Sequence, residues 1–327
     1  VTGRSCGVMG VDYGLAIENF TPAEKNPEID QIVEYAVRAE DLGYRSLWAW
    51  DHLFLGSKQP FPQLEALTTL TTLAAHTREM TLGTGILVLP IRDPALFAKT
   101  AATLQAVSKG RLALGVAAGW YEREFNATGT PFKGRGRVFE RNLEICLRLW
   151  GDDEVTGEWE DLSFRRVRML PKPEPRPTVL IGGYVDRVLK RVATLSDGWL
   201  TYFYPPEAFK RSWQTIRQYA EEAGRDPDAL RNVAQLPLCI DSSFEEADRK
   251  TGPWLAQSFD MPEWSDAAPE SAIRGTPEQC AEQLAQHIEA GVQEICLVPY
   301  NYEIEQVERF AKDVRPLLDS ASAGGRG

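Results

Sequence analysis

An aspartate followed directly by a histidine, Asp51-His52, is the strongest candidate for chemistry in the sequence. The pair ends an apolar run, Ser46-Leu47-Trp48-Ala49-Trp50, that is typical of a β-strand. An imidazole at a strand end can donate a hydrogen bond or transfer a proton near neutral pH. The alternative is a histidine that only caps the following loop. His76 and His287 fall within helical patterns, and we interpret both as structural.

Glycines mark two further places where the backbone could approach a ligand. Gly85-Ile86 interrupts a run rich in β-branched residues, which predicts a bulge or a close backbone contact, or only relief of crowding between side chains. Gly182-Gly183 ends another apolar run and leads into a helix, where backbone N–H groups can bind an anion. A simple turn is the competing interpretation of this glycine pair.

Aromatic residues accompany these positions. Gly119-Trp120 follows one predicted strand, and the cluster Tyr202-Phe203-Tyr204 follows another. Such side chains could line the pocket of a ring-shaped ligand or fill the space above a sheet. Together with the glycines and the Asp-His pair, their composition suits a large planar ligand.

Charge and absent motifs exclude several classes of function. The net charge of −11 disfavours nucleic-acid binding, so an anionic ligand would need a local cluster of arginines and N–H groups. The sequence has no G-x-G-x-x-G after the first strand, no P-loop, no G-x-S-x-G and no H-E-x-x-H. Its five scattered cysteines and three separate histidines predict no metal site and no disulfide framework.

Strand and helix patterns alternate along nearly the whole chain, which favours a parallel sheet because each parallel crossover needs an intervening helix. Eight such units in 327 residues predict a (β/α)8 TIM barrel, an α/β fold in a single domain covering 1–327. The predicted strands are Tyr13–Ile17, Ser46–Trp50, Thr81–Leu89, Arg111–Ala117, Thr178–Ile181, Gly198–Phe203, Asn232–Ile240 and Glu294–Val298. Active sites of this fold lie at the carboxyl ends of the strands, where the candidates named above fall.

Two stretches exceed an ordinary connection. Residues 151–177, after the fourth strand, carry four alternate prolines and predict a small hairpin with a stiff connector. Residues 251–275, before the eighth strand, predict a lid, and 320–327 predict a frayed tail. No apolar run could cross a bilayer and the first residues lack the features of a signal peptide, so we expect a soluble, cytoplasmic protein without membrane contact.

These segments, taken in order, resemble the luciferase-like monooxygenase superfamily of flavin- or deazaflavin-dependent barrels, and most of all its branch of probable coenzyme F420-dependent oxidoreductases. The resemblance extends from about Gly14 to Leu318, and the combination is more specific than any single part. It rests on Ser46–His52, Leu82–Pro90, Gly110–Val116, Gly119-Trp120, Glu124-Phe125, Leu170–Pro173, Ile181–Gly183, Asp197–Trp199 and Gly275–Glu278.

The resemblance implies a role for several residues. His52 would face the deazaflavin ring, steered by Asp51, and a non-proline cis peptide near Gly85-Ile86 would back the ring. Gly182 and Gly183 would approach the cofactor phosphate. Two departures concern the cofactor fit: Leu180 replaces a tryptophan of many relatives, and Ala117-Ala118 replaces a glycine-rich stretch.

The leading expectation is therefore an oxidoreductase that transfers a hydride between F420 and a small organic substrate, with a homodimer formed through helices at Leu64–Ala75 and Leu96–Val107. The alternative is a two-component monooxygenase that uses FMN reduced by a separate flavin reductase. A third possibility, a cofactor-free binding protein, predicts no cofactor affinity. The sequence does not identify the substrate.

Overall fold

The computed structural model describes residues 10–21, 25–56, 60–258 and 268–324. Eight parallel strands close into a barrel, in which the last strand along the chain pairs with the first. This confirms the predicted fold. The barrel strands are β1 (Asp12–Ala16), β2 (Ser46–Ala49), β3 (Thr81–Val88), β4 (Leu112–Ala117), β7 (Thr178–Gly182), β8 (Gly198–Tyr202), β9 (Arg231–Ile240) and β11 (Glu294–Pro299).

Helices cover the outside of the barrel because each presents an apolar face to the strands. They are α1 (Ile29–Asp41), α2 (Ala66–His76), α3 (Pro94–Val107), α4 (Glu122–Thr128), α5 (Arg135–Gly151), α6 (Asp186–Leu195), α7 (Pro206–Glu222) and α8 (Phe244–Ser258). Further helices span Ala268–Ser271, Pro277–Glu289, Ile304–Arg309 and Arg315–Gly324, with a π-helical segment at Phe310–Val314.

Helix starts agree with the sequence where a side chain caps the backbone. Asp93 accepts hydrogen bonds from two N–H groups of the first turn of α3, and Thr276 forms a capping box with Gln279. Helix α1, by contrast, begins at Ile29, and the side chain of Glu28 before it makes no capping hydrogen bond. Helix α4 was not predicted from the sequence, because its 7 residues are too few to show a repeated apolar pattern.

The long connections differ in content. The stretch 151–177 contains an antiparallel hairpin of β5 (Val155–Trp159) and β6 (Leu162–Val167). The predicted lid, 251–275, includes the last turns of α8 and a short strand, β10 (Ile273–Gly275), which pairs with β9. Its residues 259–267 lie outside the described residues. The tail predicted to fray from 320 is helical to Gly324, and 325–327 are again outside the described part.

The amino end of the barrel is closed by a polar cluster. The carboxylate of Glu294 accepts hydrogen bonds from Ser46 Oγ at 2.5 Å and from Trp48 Nε1 at 3.1 Å. Gly14 makes room for this cluster, since a Cβ there would lie 2.0 Å from Ser46 Oγ. The carboxyl end of the barrel, by contrast, contains an open cavity. Among the described residues, none of the helices combines the length and apolarity needed to cross a membrane.

Candidate active site

A cavity of about 430 Å³ opens at the carboxyl ends of the strands on the β2–β8 side of the barrel. All the site residues predicted from the sequence border it, which brings together side chains that are up to 132 positions apart in the chain (51 to 183). They are Asp51, His52, Gly85, Ile86, Gly119, Trp120, Gly182 and Gly183. Their proximity follows from the fold, because parallel strands end at the same edge of the barrel.

The floor of the cavity is the bulge in β3. The pairing of β3 with β4 shifts register between Thr84 and Leu87, and the peptide bond between Gly85 and Ile86 is cis. Both features agree with the sequence expectation. Gly85 is required for space, because a Cβ there would lie 2.4 Å from Nε2 of Gln235 on β9.

The imidazole of His52 forms a hydrogen bond with the carboxylate of Glu124, for which no role was predicted from the sequence. Its Nδ1 lies 3.0 Å from Oε2 of Glu124 on α4, and the two side chains are only 7% and 1% exposed. Glu124 Oε1 also accepts hydrogen bonds from the backbone N–H groups of Leu53 and Phe54, at 2.5 and 3.3 Å. A carboxylate accepts hydrogen bonds, so this contact favours the proton on Nδ1 and orients the ring.

Asp51 has partners of a different kind. Its carboxylate accepts hydrogen bonds from Arg92 Nη2 at 2.6 Å and from the N–H of Val88 at 3.1 Å. Burial raises the pKa of Asp51, while Arg92 and the Val88 N–H oppose the rise. The carboxylate that accepts a hydrogen bond from His52 Nδ1 is thus that of Glu124, whereas Asp51 ties β2 to the end of β3.

Aromatic rings form the wall beside His52. Trp120 meets the imidazole edge to face, with ring centroids 5.7 Å apart. Trp50 and Tyr202 also border the cavity. Tyr204, by contrast, stacks on Tyr184 with centroids 4.4 Å apart. The predicted aromatic cluster is thus divided between the cavity wall and the packing behind it.

The other end of the cavity is built from glycines and helix N-termini. The backbone of Gly183 has φ +126°, a conformation that side-chain-bearing residues rarely adopt. A Cβ on Gly182 would lie 2.2 Å from Ile86 Cδ1. A side chain at position 182 would therefore displace Ile86 at the bulge before it met any ligand.

Arginines lie at this same end of the cavity, and none of them was predicted from the sequence as a site residue. Those bordering the cavity come from the first turn of α5 and the first two turns of α6: Arg135, Arg137, Arg187 and Arg191. The signals were present in the sequence as Gly134-Arg135-Gly136-Arg137 and as two arginines four residues apart just after Gly182-Gly183. A helix start presents unpaired N–H groups, and adjacent arginines add positive charge there.

These arginines differ in how they are held. Arg191 pairs with Glu140 at 2.5 Å, and Arg135 Nε donates to the carbonyl of Gly119 at 2.7 Å. Burial and the neighbouring charge of Arg187 lower the pKa of Arg135. Within the described residues, no acidic side chain forms an ion pair with Arg137 or Arg187. This end of an otherwise acidic protein is therefore suited to an anion.

The remaining histidines lie away from the cavity. His76 is exposed at the end of α2. His287 is buried in the helix Pro277–Glu289, and burial lowers its pKa to about 4. Among the described residues, no group of three or more histidine, cysteine, aspartate or glutamate side chains is placed to bind a metal ion.

Comparison with known proteins gives this arrangement a family. The model of the family described as luciferase-like monooxygenase matches residues 9–294. The chain belongs to the luciferase-like monooxygenase family. This confirms the resemblance found in the sequence, and the luciferase-like chain is accordingly an oxidoreductase.

Two relatives of this luciferase-like protein, similar over nearly its whole length, are named for coenzyme F420. It is 24% identical, over 95% of its length and 99% of the relative, to a protein of Amycolatopsis mediterranei (strain U-32) named F420-dependent glucose-6-phosphate dehydrogenase. A protein of the same name from Mycolicibacterium fortuitum is 26% identical over 94% of this chain and 97% of the relative.

Solved structures share the fold. An F420-dependent secondary alcohol dehydrogenase in complex with an F420-acetone adduct superposes with a TM-score of 0.79 at 19% identity, covering 95% of this chain and 99% of that one. The oxygenating constituent of 3,6-diketocamphane monooxygenase from Pseudomonas putida, in complex with FMN, gives 0.78 at 18% identity, covering 94% and 99%. At these identities the likeness concerns the fold alone.

Proposed function

We propose that this protein transfers a hydride between coenzyme F420 and a small organic substrate. One observation carries the proposal: a single cavity has an oriented imidazole at one end and an arginine cluster at the other. A cofactor with a planar ring and a phosphate needs these two environments at opposite ends. The full-length similarity to proteins named as F420-dependent dehydrogenases supports the choice of cofactor.

The arginine end would hold the cofactor phosphate. The N–H groups at the start of α6 and at Gly183, whose backbone φ is +126°, provide donors for an anion. Arg137 and Arg187 would supply charge-assisted hydrogen bonds, because their guanidinium groups are not engaged in ion pairs within the described residues.

The other end would carry the chemistry. F420 supplies a ring that accepts or donates a hydride, and the protein supplies binding, orientation and charge control. His52 would take up or release the proton that accompanies the transfer, at Nε2, because Glu124 holds Nδ1. Trp120 and Ile86 would exclude water from both sides of the reacting ring, since both border the cavity.

FMN is the alternative cofactor, because a structure with the same fold contains it. Titration of the apo-protein with oxidised F420 and, separately, with FMN, followed by equilibrium dialysis, distinguishes the two. We expect F420 to bind at least about tenfold more tightly, a difference of ~1.4 kcal/mol. Tighter binding of FMN would favour the reductase-coupled monooxygenase, and binding of neither would refute both.

We further propose a homodimer formed through α2 and α3. Their outward faces carry few charges, and the side chain of Leu96 is 72% exposed and that of Val107 46%. Both side chains belong to α3, which packs beside α2, and exposed apolar side chains of this kind are typical of an interface between subunits. Light scattering should give twice the 36.6 kDa mass of the chain. A mass of 36.6 kDa at micromolar concentration would contradict the proposal.

A further inference from the structure

The loop between β7 and α6 is held from behind by a tryptophan that does not itself border the cavity. The side chain of Trp199, on β8, is 0% exposed, and its Nε1 donates a hydrogen bond to the carbonyl of Gly183 at 2.9 Å. Its ring stacks on Phe209 and Trp213 of α7, with centroids 5.0 and 6.4 Å apart. The indole is thus fixed in the layer between β8 and α7, whereas Gly183 borders the cavity.

A second contact fixes the next residue of this loop. The hydroxyl of Tyr184 accepts a hydrogen bond from the backbone N–H of Tyr202 at 2.9 Å and donates one to the carbonyl of the same residue. Both Gly183 and Tyr184 are thereby attached to β8, the strand beside β7 in the barrel.

The hydrogen bond from Trp199 decides which way the peptide group between Gly183 and Tyr184 faces. The C=O and N–H of a trans peptide point in opposite directions, so a carbonyl turned to the indole leaves the N–H of Tyr184 facing away from it. Within the described residues, the N–H groups of Gly183 and Tyr184 donate to no protein acceptor. Both residues border the cavity, so these N–H groups are available to an anion there.

The conformation of Gly183 makes this peptide orientation dependent on the bond to Trp199. A glycine backbone has access to regions of φ that other residues avoid, and Gly183 has φ +126°. Without the indole N–H, the peptide group could turn over and direct the carbonyl oxygen of Gly183 into the arginine end of the cavity. The partial negative charge of that oxygen would repel a phosphate, and one N–H donor would be lost from the cavity.

We propose that Trp199 is a positioning residue for anion binding: its indole N–H holds the carbonyl of Gly183 out of the cavity, so that backbone N–H groups meet the phosphate. The inference rests on the proposed function for the presence of a phosphate at this end, but it does not depend on which cofactor carries that phosphate. It also gives a physical role to the run Asp197-Gly198-Trp199, which the sequence marks only as part of a resemblance.

The test removes the indole N–H and keeps the rings. Site-specific replacement of Trp199 by β-(3-benzothienyl)alanine puts a sulfur atom in place of the N–H group and preserves the shape of the side chain, and Trp199→Phe is the simpler variant. The matched control is Trp150→Phe. Trp150 is also buried, and its Nε1 donates to the carbonyl of Ala98 at 2.9 Å, where α5 packs against α3 away from the cavity.

Inorganic phosphate is the first probe, because it tests the anion end without F420. Isothermal titration should show about tenfold weaker phosphate binding by both Trp199 variants, since a hydrogen bond to a charged group is lost, and unchanged binding by Trp150→Phe. F420 is the second probe. Its affinity should fall by the same factor in the Trp199 variants, whereas the affinity for its phosphate-free deazaflavin fragment should not change.

Three results would overturn the proposal. They are equal phosphate affinity of the benzothienyl variant and the unmodified protein, no phosphate binding by the unmodified protein, and a loss of the same size in Trp150→Phe. Failure of the proposed function has a different signature: the unmodified protein would not bind F420, while its phosphate binding would still depend on Trp199.

Discussion

The barrel holds a glutamate at each of its two ends, and the two serve different purposes. Glu124, at the carboxyl end, is fully buried and lies against the imidazole of His52, which borders a cavity. Glu294, at the amino end, is partly buried and accepts hydrogen bonds from Ser46 and Trp48 inside the closed barrel. Residue type alone therefore does not mark a candidate functional carboxylate; its partner and the adjacent space do.

The histidines repeat the same contrast. His52 is oriented by a carboxylate and borders the cavity, whereas His287 is enclosed in a helix where burial lowers its pKa to about 4. A histidine with so low a pKa stays neutral at physiological pH. The comparison predicts that changes at the carboxyl end alter activity, while changes at the amino end alter stability.

The largest effect is expected from His52→Ala. Removing a positioned acid or base slows the chemical step by about 100- to 10,000-fold, while F420 affinity should fall only modestly because the arginine end is intact. Single-turnover measurement of cofactor oxidation or reduction separates the two quantities.

The control for this variant is His76→Ala. His76 is exposed on α2, whereas His287 is buried and its removal would leave a cavity in the core. Equal rates for the His52 and His76 variants would show that His52 only caps its loop.

The next effect, on binding rather than rate, is expected from the double variant Arg137→Ala/Arg187→Ala. Loss of a hydrogen bond to a charged group costs about 1.5–3 kcal/mol, so each arginine that contacts the phosphate should contribute about 10- to 100-fold to F420 affinity. The rate at saturating cofactor should stay close to that of the unmodified enzyme. Arg211→Ala, an exposed arginine on α7, is the matched control, and an unchanged dissociation constant in the double variant would place the phosphate elsewhere.

Glu124→Gln should lower the rate by about tenfold. The amide oxygen can still accept the N–H groups of Leu53 and Phe54, but its NH2 group can donate to Nδ1 and so favour the other tautomer of His52. The ¹⁵N chemical shifts of the His52 ring report that change directly. A slower variant with unchanged ring shifts would mean that Glu124 only holds the loop.

Glu294→Gln should leave the rate unchanged and alter stability. Burial raises the pKa of Glu294, so between its unfolded value of about 4.5 and its folded value the native state binds the extra proton, and stability falls as pH rises. The glutamine keeps the acceptor for Ser46 and Trp48 without the charge. In urea unfolding, the free energy of unfolding of the variant should therefore rise relative to that of the unmodified protein from pH 5 to pH 8. A loss of activity in the variant would contradict the division between the two ends.

The fold was predictable because it depends on local patterns. Alternating strand and helix signals identify the barrel, and the position of active sites in that fold then selects His52, Gly85 and Gly182 from many candidates. The predicted limits of the barrel strands lie within one residue of the observed limits, which is accurate enough for this selection.

The contacts within the site were not predictable in the same way. Glu124 reaches His52 across 72 positions, and a single sequence does not reveal which carboxylate faces an imidazole. Arg137 and Arg187 lie on different helices, and only the packing of α5 beside α6 brings them to one cavity. In the sequence, these arginines are marked only by nearby glycines at a helix start. That pattern points to one site only when the barrel is known to place the two helix starts together.

A crystal structure of the protein with F420 bound tests the central claim most directly. The account predicts the deazaflavin ring beside His52 and over the Gly85-Ile86 bulge, with the phosphate within hydrogen-bonding distance of Arg137 or Arg187 and of the N–H groups that begin α6. A phosphate bound out of reach of both arginines, or a ring out of contact with His52, would contradict it.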